Sequence, residues 1–124
     1  MTAEHMRRLI ATAFDAYVTG DRNALESAIG ADFTFTSPYD DAIDREGYFQ
    51  RCWPNHHTIA AQKVERIVIE GDSAYVTYLC TTTSGRSFRN TEFMTFSNGQ
   101  IASVDVYFGA QYRDGKFIAT AAPS

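Results

Sequence analysis

Between Phe88 and Phe108, two runs of alternating side chains flank the dipeptide Asn98-Gly99. That pattern demands a β-hairpin, because both turn residues accept the positive φ of a tight two-residue connection. On the first strand Phe88, Asn90, Glu92, Met94 and Phe96 share a face by the period of two. On the second, Val104, Val106 and Phe108 form the more apolar face and leave Asp105 on the other. A one-residue slip would turn Asp105 inward instead. A single carboxyl, Glu92, thus lies among apolar neighbours on the face expected to look inward. Upstream, residues 59–70 and 73–83 read as two further long strands, with turns at Gly71-Asp72 and Ser84-Gly85.

The first half reads differently. Met6, Leu9, Ile10, Ala13, Phe14, Tyr17 and Val18 recur at helical spacing, with Thr2 as the cap and Gly20 as the stop. Asp21 caps a short second helix carrying Leu25, Ala28 and Ile29, closed by Gly30. Phe33 and Phe35 alternate with threonines in a short strand stopped by Ser37-Pro38. Tyr39 to Ile43 reads as a loop. Asp44 caps a third helix bearing Tyr48, Phe49, Cys52 and Trp53, ended by Pro54. The segment after Phe108 gives no clear pattern; Tyr112 and Phe117 are expected either to pack back or to form contacts between subunits. Helices gathered first and strands after predict one α+β domain over residues 1–124. A long sheet twists and curls, so the helices should cap a cone and enclose a cavity.

Composition excludes several classes of function. The net charge is -4, and Arg7-Arg8 is the longest basic run. Nucleic-acid binding depends on phosphate neutralisation, so it is not expected. No stretch of 18 apolar residues predicts a membrane helix, and the amphipathic N-terminus does not read as a secretory signal. Cys52 and Cys80 form no Cys-x-x-Cys pair. They read as small buried hydrophobes in a reduced, cytoplasmic setting. Aromatic residues make up 14% of the chain, enough to line a ligand cup as well as a core.

The chain resembles the nuclear transport factor 2-like superfamily, and within it the small SnoaL-like and ketosteroid-isomerase-like proteins. The resemblance runs from Met6 to Gly109. It is carried by Gly20-Asp21, Ala31-Asp32-Phe33, Ser37-Pro38, and Gly99-Gln100-Ile101 leading to Tyr107-Phe108-Gly109. It implies a cone-shaped, curved antiparallel sheet with three N-terminal helices enclosing a cavity, the cystatin-like architecture. For function it implies isomerase, cyclase, dehydratase or hydrolase chemistry, or binding without catalysis. Ketosteroid isomerases place a general base just before a proline at the end of the first strand, which here is Ser37. They keep a protonated acid on the penultimate strand, which here is Glu92. Their first-helix tyrosine falls near Ala13 or Phe14. Limonene-epoxide-hydrolase-like members carry an inward acid at the position of Val106.

These considerations name the candidates. Glu92 is the expected acid or hydrogen-bond donor, with Asp40 or His57 as the base and Tyr78 orienting. The alternative for Glu92 is a structural ion pair with Arg51 or Arg89. Asp40 belongs to a Tyr-Asp-Asp loop, where aspartates also bond their own backbone. His57 follows Pro54 and titrates in the useful range. Tyr17, Ser37, Tyr39, Trp53, Tyr78, Met94 and Phe108 are expected ligand contacts. No metal spacing is present and no cofactor is required. The expected ligand is a small, mostly apolar, oxygenated molecule. Tyr75, Thr77, Leu79, Thr81, Thr91, Phe93, Thr95, Asp105 and Tyr107 should form the outer sheet face, too apolar for a solvated one, which predicts a homodimer through it.

Overall fold

The computed structural model describes residues 1–118. Thr2 caps the first helix by accepting from the His5 amide at 3.1 Å, and Gly20 ends it in the left-handed region at φ 77°. Helix α1 spans Ala3–Thr19 and buries Met6, Ile10 and Phe14. Asp21 caps α2, Arg22–Ala28, through the Ala24 amide. Ile29 and Gly30, expected to close that helix, instead open β1, Ile29–Ser37. The residues expected to form a loop are strand β2, Asp40–Asp44, paired antiparallel with β1. Asp44 caps α3, Arg45–Arg51, by accepting from the Gly47 amide at 2.8 Å. Trp53 falls outside this helix: Pro54 sits in the first turn of a 3-10 helix, Trp53–Thr58, where its missing N–H removes no helical bond.

Four long strands follow: β3 (Ile59–Glu70), β4 (Ser73–Thr82), β5 (Ser87–Ser97) and β6 (Gln100–Phe108). Two-residue strands β7 (Tyr112–Arg113) and β8 (Lys116–Phe117) form a hairpin whose β7 continues alongside the start of β5. Along the main path the sheet order is β2-β1-β6-β5-β4-β3. The β1–β6 pair is parallel, so the sheet is mixed rather than antiparallel throughout. The reason is topological. The first strand is recruited to the far edge of the meander, beside a strand running the same way.

Bulges interrupt β1, β3 and β5. Each bends its strand, and the bent sheet wraps α1. Inward-facing Val76, Tyr78 and Cys80 of β4, Met94 and Phe96 of β5, and Val104 and Val106 of β6 join Met6, Ile10, Phe14, Leu25 and Phe33 in one core. The His5 side chain meets the Gly99 carbonyl at 3.1 Å, pinning the start of α1 to the β5–β6 turn. The architecture is a cone of curved sheet closed by helices, with its hollow between α1, α3 and the inner faces of β4, β5 and β6.

Candidate functional site

The hollow is a cavity with a water-accessible volume of about 90 Å³. A single water needs roughly 10–15 Å³ on this measure, so several waters or a small organic molecule fit. Apolar walls come from Phe14, Phe33, Phe35, Met94, Val104 and Phe108. Polar atoms come from Tyr17, Tyr48, Asn55, Gln62, Tyr78, Asn90 and Glu92. None of the described lining residues is Lys, Arg or His.

Glu92 follows from strand register. It lies opposite Val76 on β4 and Val106 on β6, so its neighbours across both ladders are aliphatic. The Tyr78 hydroxyl donates to Oε2 at 2.7 Å. No hydrogen bond joins Oε1 to another described residue, and Glu92 lines the cavity. The side chain is half-buried and forms part of the cavity wall. Desolvation pushes the carboxyl up from 4.5 to about 7, against the opposing pull of the Tyr78 hydrogen bond. Arg51 and Arg89 are committed elsewhere: Arg51 to Asp40 at 2.6 Å, and Arg89 to Glu65 through two bonds of 2.7 and 3.2 Å. Glu92 therefore has no countercharge from either.

Behind Tyr78 stands Asn90, 5% exposed. Its amide nitrogen donates to the Tyr78 hydroxyl at 3.2 Å, and its carbonyl accepts from the Gly109 amide at 3.0 Å. Across the cavity, the Tyr17 and Tyr48 hydroxyls bond each other at 2.6 Å. Burial pushes both phenols up, as it does Tyr78, and the Cys52 thiol is pushed up to about 12 for the same reason. These groups stay protonated near neutral pH and act as donors. Glu92 is the one carboxyl among the described lining residues, and burial raises it to about 7.

The other expected contacts divide. Tyr17, Tyr78, Met94 and Phe108 line the cavity. Tyr39 packs on the far side of Phe108, ring centroids 5.7 Å apart, and is itself exposed. Trp53 is buried against Tyr17 and stacks on His56, one layer behind the wall. His57 is exposed on the 3-10 helix, its ring 3.9 Å from that of His56. Ser37 and Asp40 sit at the β1–β2 turn outside the lining. Ser37 Oγ donates to Asp40 Oδ2 at 2.9 Å, and Arg51 holds Oδ1. Asp105 lies on the opposite face of β6 from Val104 and Val106, opposite Phe93. Residue reasoning places Asn90 on the inner face but does not single it out, and it counts Gly109 only among the residues that carry the resemblance. Their bond joins positions 19 apart in the chain, which no local pattern announces. Among the described residues, no three His, Cys, Asp or Glu side chains gather as a metal site would need.

Solved structures share this architecture. A nuclear transport factor 2-like protein of unknown function from Burkholderia xenovorans is 24% identical, with a TM-score of 0.73 over 89% of this chain and 87% of that one. A Kribbella flavida protein assigned as a ketosteroid isomerase is 17% identical, with a TM-score of 0.74 over 98% and 92%. A Sinorhizobium meliloti protein assigned as a polyketide cyclase is 19% identical, with a TM-score of 0.67 over 83% and 98%. At these identities the likeness is one of fold. No curated protein matches the sequence. The fold is that of the nuclear transport factor 2-like proteins; residues 10–104 match the SnoaL-like domain, and the chain belongs to the SnoaL-like family.

Proposed function

We propose that the chain binds a small, neutral, mostly apolar, oxygenated molecule in the cone and that Glu92 transfers a proton to or from it without a cofactor. The observation that carries this reading is a carboxyl raised to about 7 with one oxygen open to an apolar cavity. Such a group is populated both as acid and as base near neutral pH. The lining supports a neutral ligand: no described lining cation would meet an anion, and ionised Glu92 would repel one. The Tyr17–Tyr48 pair holds two hydroxyl protons, and its mutual bond uses one. The second proton serves a ligand oxygen on which negative charge develops.

Small cyclic ketones test this directly. In deuterated buffer, Glu92 as base takes an α-hydrogen as a proton, leaving the C–H electron pair in an enolate, and deuterium returns to that carbon. Exchange followed by NMR should be faster than the buffer rate, rise with pH through about 7, and fall to background in Glu92→Gln. Equal exchange in Glu92→Gln, with ketone binding retained, removes Glu92 from the chemistry.

A second reading is a binding module without catalysis. Its support is Ser37, which stands where the related isomerases keep their base and whose hydroxyl is given to Asp40. In that case Asp40 and His57 have no part in proton transfer, and ketones bind without exchange. We further infer a homodimer through the outer sheet face. Its hydroxyls satisfy one another, Thr77 with Thr91 at 2.8 Å and Thr95 with Ser103 at 2.6 Å, so the face asks little of water. The two buried, unbridged cysteines suit a reducing, cytoplasmic compartment. No helix among the described residues is long and apolar enough to cross a membrane.

A further inference from the structure

We propose that Asn90 is a positioning residue: held by the Gly109 amide, it aims the Tyr78 hydroxyl proton at Glu92 Oε2 and leaves Glu92 Oε1 as the atom through which a proton enters or leaves the cavity. The proposal rests on the reading of Glu92 as the proton-carrying group and says which of its two oxygens does the carrying.

The direction of each bond follows from donor and acceptor inventory alone. A backbone N–H only donates, so the atom of Asn90 facing Gly109 at 3.0 Å is the carbonyl oxygen. The amide nitrogen is thereby turned to Tyr78 at 3.2 Å, and it too only donates. The Tyr78 oxygen accepts there. Its single proton goes to its other close neighbour, Glu92 Oε2, at 2.7 Å. Oε2 is then an acceptor whether Glu92 is ionised or neutral, and the proton of the neutral acid sits on Oε1.

Without this chain the opposite arrangement is available. A neutral Glu92 could donate from Oε2 to the Tyr78 oxygen and spend its proton inside the wall. Asn90 disfavours that: a Tyr78 oxygen accepting from both Asn90 and Glu92 would leave the tyrosine's own proton without its acceptor. Gly109 makes the chain possible. A Cβ there would collide with the Arg89 carbonyl oxygen, so only glycine lets the end of β6 approach β5 closely enough to present its N–H. The other groups facing Glu92 compete little. Tyr17 from α1, and Tyr48 and Cys52 from α3 and its end, are neutral near pH 7. Val76 on β4 and Val106 on β6 are aliphatic. Asp40 and Arg51 are bonded to each other, and both act on Cys52 rather than shifting Glu92.

The test is a pH titration of ¹³C-carboxyl-labelled protein by NMR, with no ligand present. In Asn90→Leu, Tyr78 loses the donor that polarises its hydroxyl, so its bond to the carboxylate weakens and the Glu92 midpoint should rise by roughly half a unit. In Tyr78→Phe the midpoint should rise by roughly one to two units. Adding Asn90→Leu to Tyr78→Phe should then change nothing further, because Asn90 acts through the hydroxyl. In the unmodified protein, which does not depend on the variants folding, one Asn90 side-chain amide proton should shift with the same midpoint as the Glu92 carboxyl. An Asn90 amide indifferent to that titration overturns the proposal, as does an equal effect of Asn90→Leu with and without the tyrosine hydroxyl. A Glu92 midpoint at the ordinary carboxylate value in the unmodified protein would instead sink the proposed function, while the double-variant comparison would still report on the chain of bonds.

Discussion

Burying Glu92 without a countercharge costs the folded chain stability over a defined pH window. The folded carboxyl is raised to about 7 from an ordinary 4.5. Between those values the folded state holds a proton that the unfolded state has released. Stability therefore falls as pH rises through the window and levels off above it. The shift corresponds to about 3 kcal/mol. Glu92→Gln removes the titration and keeps the shape. Urea unfolding should show the variant gaining on the unmodified protein by about 3 kcal/mol between pH 4 and pH 8; a gap independent of pH would mean the carboxyl is solvated in the folded state. The same residue shows how far sequence carries. Period-two alternation is enough to put Glu92 inside, since one register step would expose the whole face. It cannot say which oxygen is engaged, because that depends on Asn90 and on the approach of Gly109 across the sheet.

The elements divide along the same line. Helix α1 is legible because its cap, stop and apolar stripe are local, and so is the β5–β6 hairpin, turned by Asn98-Gly99 with both residues at positive φ. Strand β2 is not legible. Asp40, Asp41, Ala42 and Asp44 carry no alternation, Ala42 sits at φ 47°, and the segment is extended because β1 offers it a partner. The parallel β1–β6 pair is equally hidden, since it joins segments about seventy positions apart through Ile29 and Ile101. What holds β2 in place is ionic. Asp40, its side chain 3% exposed, takes Arg51 from α3 on one oxygen and Ser37 from β1 on the other. Asp40→Ala leaves a hydroxyl and a guanidinium without that partner and should cost about 2–3 kcal/mol in chemical unfolding. The Arg51 end is solvent-exposed, so salt screens part of this, and the cost should be smaller at high ionic strength. If Asp40 acts only in the fold, ketone affinity at temperatures where the variant remains folded stays unchanged.

At the scale of the whole molecule, the two faces of the sheet have been given different work. The inner face is consumed by helices and cavity. No helix among the described residues covers the outer face, and Tyr75 and Tyr107 stand 49% and 59% exposed there. Tyr75 stacks with Phe93 at 4.8 Å, and Leu79 lies on the same face. The Arg89–Glu65 pair, tied also to Tyr112, bridges β5 to β3 across β4, so an internally neutralised charge pair lies beside these side chains. In the proposed dimer a second copy of the same face is the cover, with paired hydroxyls and rings repeating about a two-fold axis and Asp105, opposite Phe93, as a carboxylate on that face. Light scattering at micromolar concentration should give about twice the 13.9 kDa of one chain. Tyr75→Glu together with Tyr107→Glu places like charges across that axis and should halve the mass, and it should leave the Glu92 titration where it was, since neither side chain reaches the cavity. A monomer from the unmodified protein under these conditions would refute the dimer. A monomeric variant with a displaced Glu92 midpoint would mean that assembly shapes the cone, and the inner and outer faces could then no longer be treated as separate.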